Sequence, residues 1–251
     1  MSIKNPKILV TIPLFEPGEY IHELVKTISL SKYQYLVWSN SPLSSELLSK
    51  LSNLKNVILK NNNENLGLSF FLKYSCEYAY LNNFDLVLNL DQDTWVDDGI
   101  VSRLIEYIKN TELPDNIIQL SLLGNKKTLT QEYIAINSGS VFFLNNLNKL
   151  GFHSQTYFVD GVDYKFCLDV SQSEYIICSI KFNGINHSVN QGYKKKYFFS
   201  YKPVSLHRFS SIITSYRMLL VETLLIRNPS LFFFFLKDLI KQSINFIKNI
   251  I

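Results

Sequence analysis

A few short stretches of this chain carry residues whose types and spacing could do chemistry. In "LVLNLDQDTWV" (86–96) an apolar run stops at Asp91-Gln92-Asp93. Two carboxylates at i and i+2 just past a strand can both turn toward one hard cation such as Mg²⁺ or Mn²⁺. So few protein ligands would leave room for phosphate oxygens of a substrate. Taken alone, Asp-x-Asp is weak evidence, because Asp at a strand end commonly serves a turn. Asp97 and Asp98 read as caps of the next helix, where negative charge suits the N-terminal dipole.

In "YFVDGVDYKFCL" (157–168), Asp160 and Asp163 stand where a loop enters a helix. A carboxylate there can act as general base if it reaches a substrate hydroxyl; the competing role is an N-cap. In "NENLGLSFFLKYSCEYA" (63–79), Asn65 and Gly67 mark a turn before a helix whose N-terminus would suit a phosphate or a polar base. His187 in "GINHSVNQG" (184–192) is a lone histidine in a polar loop, a type more often structural than ligating.

The elements that must position these residues alternate in the βαβ manner. Strands are expected at "KILVTIP" (7–13), "YQYLVWSN" (33–40), "NVILKN" (56–61) and "LVLNL" (86–90), separated by helices over 19–30, 44–54 and from Leu68 onward. A helix near 97–109, strands over 117–123, 138–144 and 175–182, and a helix near 163–171 complete the core. In open α/β sheets ligands collect beyond the carboxyl ends of the strands, which is where Asp91 and Asp93 fall. The expected organisation is one α/β domain over 1–205, with amphipathic helices over 206–251.

The 251 residues suffice for one sizeable core. A hydrophobic share of 47% and a charged share of 18% exclude disorder. Net charge +4 is mild, and the only basic run is "GYKKKYFF" (192–199), so no nucleic acid is expected as partner. Cys76, Cys167 and Cys178 are odd in number and in apolar settings, which predicts reduced thiols and a cytoplasmic location. No apolar run reaches the roughly 18 residues of a membrane span. In the last helix Leu236, Leu239, Ile240, Ile244, Ile247 and Ile251 share one face, and Lys237, Lys241 and Lys248 cluster elsewhere. Such a helix suits the interface of an anionic membrane, or packs on the domain or on a second copy in a homodimer. The run Phe232–Phe235 exceeds one packing face and favours the membrane.

Taken in order, these stretches resemble family 2 glycosyltransferases, in particular the bacterial rhamnosyltransferase-like branch. The resemblance covers about residues 7–190. "ILVTIPLFEPGEYIHELVKTI" is similar to the opening strand, turn and first helix, and "NNNENLGLSFFL" to the Asn-x-Gly segment. "LVLNLDQDTWV" resembles the Asp-x-Asp motif, "INSGSVFFLNNLNKLGF" the Ser-Gly strand, and "TYFVDGVDYKFCL" the segment holding the base. The ordered series is specific where each element is loose. It implies a GT-A fold, a mixed sheet flanked by helices, and inverting transfer of a sugar from a nucleotide-diphosphate donor. The acceptor would be a glycan or lipid-linked saccharide in cell-surface polysaccharide synthesis, at the inner face of the cell membrane.

Carried over residue by residue, Asp91, Asp93 and His187 would hold Mg²⁺ or Mn²⁺, and Asp163 would be the base, with Asp160 in reserve. Pro13, Glu16, Asn40, Asn65, Gly67, Asp91, Ser138 and Gly139 would line the donor, and Lys194, Lys195 and Arg208 would close over its diphosphate. The chain departs from the pattern at Trp38-Ser39-Asn40, where relatives place an acid against the nucleoside. Asn40, or stacking on Trp38, is expected to replace it. Glu16 replaces the usual Asn or Asp, and Asp169 an expected Arg. Two other readings stand beside this one. A nucleotidyltransferase would need a Gly-rich basic loop, which "IPLFEPGEY" (12–20) is not. A degenerate scaffold would need no catalytic acids, whereas Asp91, Asp93 and Asp163 are all present.

Overall fold

The structure is a computed structural model describing residues 3–18, 21–62, 64–187, 194–197, 200–203 and 209–250; for 194–197, 200–203, 209–212 and 245–250 it describes backbone alone. The chain begins as the alternation predicts. β1 (Ile8–Leu14), β2 (Gln34–Ser39), β3 (Val57–Asn61) and β4 (Leu86–Asn89) pair in parallel in the order β3-β2-β1-β4. They are joined by α1 (Ile21–Leu30), α2 (Ser45–Ser52) and α3 (Leu68–Leu81). β1 is almost wholly apolar because both its faces are covered. Val10, Ile12 and Leu14 enter the core shared with α1, α2 and α4 (Ile100–Asn110), while Leu9 faces the layer that holds α3.

The second half of the sheet mixes directions. β8 (Ser140–Phe143) lies antiparallel between β4 and β6 (Ile117–Ser121), and β9 (Ile176–Ser179) and β7 (Thr130–Glu132) extend the eight-stranded mixed sheet. The chain leaves β1 toward β2 and β3 and returns to its other side at β4. The topological switch, and the crevice that accompanies it, therefore lies where β1 and β4 end. α5 (Leu144–Leu150) follows β8 directly and α6 (Val162–Ser171) follows a loop. Outside the main sheet, β5 (Thr94–Val96) pairs antiparallel with β10 (Ile185–His187), and β11 (Lys194–Tyr197) with β12 (Ser200–Pro203).

α7 (Phe209–Leu225) and α8 (Pro229–Ile250) form a helical hairpin. Arg227 turns the chain with φ 53°, and Asn228 accepts the Leu231 N–H at 3.1 Å to start α8. Tyr216, Leu219, Leu231 and Phe235 are buried with Trp38, Phe71, Leu72, Val162 and Leu168, so the hairpin packs on α3 and α6.

Several expectations change in detail. The helix expected near 97–109 starts at Ile100 with Gly99 at its cap position, and β5 occupies 94–96. Asp97 acts from two positions further back, accepting from Gly99 N–H at 3.1 Å and binding Arg103 at 2.7 Å, and Asp98 is exposed. The strand expected to 144 ends at Phe143, where the Asn-rich α5 begins. Asp169, standing where an Arg was expected, pairs with Lys165 at 2.9 Å. The three cysteines are free and buried.

Candidate active site

β4 delivers Asp91, Gln92 and Asp93 into the crevice, and short bonds pin the turn. Gln92 grips the end of β1 through its amide. Its Oε1 accepts the Phe15 N–H at 2.9 Å and its Nε2 donates to the Phe15 carbonyl at 3.0 Å. The Asp91 N–H donates to Ser138 Oγ at 3.1 Å, which meets Thr94 Oγ1 at 2.6 Å. Thr94 Oγ1 in turn lies 2.8 Å from His187 Nδ1.

His187 reaches the acids because β10 pairs with β5 in a register that sets it opposite Thr94. That ribbon is itself anchored. Asp97 N–H donates to the Gly184 carbonyl at 3.0 Å, and Arg103 donates to the Asn183 carbonyl at 3.2 Å. Gly184 has φ +85°, and a Cβ there would fall on the Asp97 carboxylate. The turn that launches His187 therefore requires glycine.

Asp91, Asp93 and His187 offer ligand atoms that all lie within 4.8 Å of one another, and each residue is half-buried. His187 Nδ1 stands 3.5 Å from Asp93 Oδ1. Two carboxylates and an imidazole with a fixed second partner on Thr94 fit a divalent cation.

The electrostatics point the same way. Burial, then the nearby charges of Asp163 and Asp93, push the Asp91 carboxyl up to about 7, against a smaller opposing bond to Ser138. Asp163 belongs to the same group although it comes from α6. Its Oδ1 accepts the Asn137 N–H at 2.9 Å, and burial pushes it up to about 6. Converging acids that hold protons this strongly are arranged for a cation or for proton transfer rather than for stability.

The remaining expected residues fall into two groups. Ser138 and Gly139 flank the acids: Ser138 is buried, and Gly139, at φ +65°, donates its N–H to the Asn89 carbonyl at 2.8 Å. Pro13 lies near the end of β1, opposite Trp38. Glu16 is exposed at the crevice edge with φ 45°, its N–H donating to Ser41 Oγ at 2.8 Å. Asp160 sits half-buried in the turn before α6.

The second group is occupied with holding the loops. Asn40 is buried; its Oδ1 accepts from Trp38 Nε1 at 2.9 Å and from Leu66 N–H at 3.2 Å, and its Nδ2 reaches the Gly67 carbonyl at 3.4 Å. Its amide braces the Asn65–Gly67 turn. Trp38 is only 4% exposed, packed against Phe70 and Tyr74. The expected base stacking on Trp38 is thus corrected: its faces are core. The expected phosphate site at the start of α3 is corrected too, since the leading Leu68 and Ser69 N–H groups donate to the Phe158 carbonyl at 2.8 and 3.4 Å. Asn65 is exposed and accepts the Gly67 N–H at 2.9 Å. Gly67, at φ +84°, lies so close to Phe158 that a Cβ would come within 2.6 Å of its carbonyl. These contacts tie the Asn-x-Gly turn to the loop leading to Asp163. The side chains of Lys194 and Lys195, and the whole of Arg208, lie outside the described residues.

Sequence reasoning missed Thr94, Gln92 and Asn137. Asn137 is buried; its N–H holds Asp163, its carbonyl accepts from Asn89 Nδ2 at 3.3 Å, and neither side-chain amide atom has a protein partner. Its position directly before Ser138-Gly139 was the available signal.

No family model matches this chain, and no curated protein matches it. Its fold does match solved structures. S. aureus TarS 1-349 superposes with TM-score 0.56 at 13% identity, over 87% of this chain and 65% of that one. The same fragment in complex with UDP-GlcNAc gives 0.55 at 13%, over 87% and 66%. GalNAc-T7 with UDP, GalNAc and Mn²⁺ gives 0.55 at 11%, over 73% and 44%. The chain thus spans just under two thirds of the TarS fragment. The fold is the GT-A fold that the motif order implied.

Proposed function

We propose that this chain is an inverting glycosyltransferase that moves a sugar from a nucleotide-diphosphate donor to a hydroxyl of a glycan or lipid-linked saccharide. The observation that carries the proposal is the meeting of Asp91, Asp93 and His187 with Asp163 at the β1/β4 switch point. A strand turn, a peripheral ribbon and a distant helix supply them, and no packing need brings acids together there.

In this reading Asp91, Asp93 and one nitrogen of His187 hold Mg²⁺ or Mn²⁺. When bound, such an ion neutralises charge on the departing nucleoside diphosphate. Asp163 is the base. Held by the Asn137 N–H at 2.9 Å, it takes the proton of the acceptor hydroxyl. That oxygen bonds to the anomeric carbon as the carbon–oxygen bond to the diphosphate breaks on the opposite face. A carboxyl with raised proton affinity suits this task near neutral pH. Ser138 and Thr94 keep the metal-binding turn in register.

The TarS fragment in complex with UDP-GlcNAc and GalNAc-T7 with UDP, GalNAc and Mn²⁺ make uridine nucleotide sugars the first donors to test. Activated rhamnose follows from the motif resemblance, as does work on a cell-surface polysaccharide at the inner face of the membrane. No described helix is long and apolar enough to cross a membrane.

The test is hydrolysis or transfer from a panel of nucleotide sugars, with and without Mn²⁺ or Mg²⁺. Turnover that needs the ion and collapses in Asp93→Ala supports the reading. A protein whose melting point no nucleotide sugar shifts and which turns none over would instead be a degenerate scaffold.

A further inference from the structure

The α7–α8 hairpin divides its charges by face. Over 213–244 the acids are Glu222 and Asp238, and both look inward. Glu222 accepts from Tyr157 at 3.0 Å and from Lys165 at 2.8 Å, and Asp238 accepts from Tyr164 at 2.7 Å and also from Tyr216. The bases over the same span, Arg217, Arg227, Lys237 and Lys241, are all exposed.

The apolar residues of the outer face are just as one-sided. On α7, Val221, Leu224 and Leu225 are 55%, 60% and 76% exposed; on α8, Phe233, Phe234, Ile240 and Ile244 are 65%, 41%, 53% and 47% exposed. On α8 these four residues and both lysines fall within an arc of about 120° at 3.6 residues per turn. Arg217 shares the outer stripe of α7.

The arc shares Ile240 and Ile244 with the face expected from sequence and adds Phe233 and Phe234, while the side chains of Ile247, Lys248 and Ile251 lie outside the described residues. Burial of Leu231 and Phe235 turns the helix so that Phe233, Ile240 and Ile244 point out among lysines. Large apolar side chains interleaved with cations and free of exposed acids fit the interface of an anionic bilayer, where rings and aliphatic tips enter the acyl boundary and amines meet phosphates. A second protein copy would bring the same cations against its own, an arrangement that charge opposes.

We infer that the outer face of the α7–α8 hairpin docks the protein on an anionic membrane surface. Two inward acids lock the hairpin to Tyr157, Tyr164 and Lys165, the last two on the helix that carries Asp163. Docking there brings the proposed base close to the bilayer, so the acceptor class is a saccharide carried on a lipid. The surface stands independently of the transferase reading; the acceptor class rests on it.

The experiment is co-sedimentation of the full chain with phosphatidylcholine vesicles and with vesicles containing phosphatidylglycerol, without nucleotide sugar, at low and high salt. Binding is expected to the anionic vesicles and to weaken with salt. Each lysine at such a surface contributes about 1 kcal/mol, so Lys237→Gln with Lys241→Gln should weaken partitioning about 30-fold. Phe233→Ser with Ile240→Ser should abolish it, and since all four side chains are exposed the fold is retained. Equal sedimentation with and without anionic vesicles overturns the inference. So does a solution dimer that the Phe233→Ser, Ile240→Ser variant dissociates, which would assign the face to a second copy. If vesicles bind but no nucleotide sugar does, the surface stands and the transferase reading falls. If donor turns over equally for soluble and vesicle-borne acceptors, the acceptor class falls alone.

Discussion

Asp91→Asn should stabilise the metal-free protein at neutral pH while removing its response to metal. In the wild type, burial and the charges of Asp163 and Asp93 raise the Asp91 carboxyl from 3.8 to about 7. The folded state therefore binds a proton more tightly than the unfolded chain. Its contribution is fully present below about pH 4 and is lost as pH rises toward 7. At about 1.4 kcal/mol per tenfold change in proton affinity, the loss at pH 8 is at most about 4 kcal/mol. Asp91 keeps contact with solvent, so about 2 kcal/mol is the working figure. Asn is the same size and carries no charge, so it removes the repulsion. For a chain of this length about 2 kcal/mol corresponds to a rise of roughly 4–8 °C in melting temperature. The assay is thermal unfolding of wild type and variant in chelator from pH 5 to 8, repeated with Mn²⁺. The gap should open as pH rises, and Mn²⁺ should then stabilise the wild type alone. A variant equal to or less stable than wild type at pH 8 in chelator, or one still stabilised by Mn²⁺, refutes the reasoning.

Other expectations are briefer. Asp163→Asn should bind donor with little change, measured by calorimetry, while transfer falls by roughly 10²–10⁴ as general-base assistance is lost. Gly184→Ala forces both a positive φ and a clash with the Asp97 carboxylate. It should lower stability by about 1–3 kcal/mol in urea and weaken Mn²⁺ binding by displacing His187. Asn137→Ala should raise the donor or acceptor KM more than it changes stability, because it removes an amide that bonds to no protein group. His153 is buried between Phe142 and Phe166, and burial lowers its proton affinity to about 3. It costs stability as pH falls below about 6.5, so His153→Phe should gain about 2 kcal/mol on the wild type at pH 5 and little at pH 8.

Much of this molecule is legible along the chain, for local reasons. β1 and β4 announce themselves because a strand covered on both faces must be apolar along its length, and Asp91 and Asp93 mark where β4 leaves the core. α5 escaped because "LNNLNKL" (144–150) has only a thin apolar stripe, and β5 and β10 because each is three residues long and stabilised mainly by the other. The fate of Trp38 was equally hidden. An aromatic at a strand end can serve a ligand or the core, and only α3, supplying Phe70, Phe71 and Tyr74, decides for the core.

The sequence by itself determined the alternation of strands and helices, the place of the acids at strand ends, and the amphipathic end of the chain, because each depends on neighbours within a few turns. The tertiary structure alone decided that His187 stands beside Asp93, that Asp163 raises the proton affinity of Asp91, and which arc of α8 faces outward. Those facts depend on pairings across long stretches of chain, on the register of a three-residue ribbon and on how the α7–α8 hairpin rolls against α3 and α6. No local periodicity encodes them.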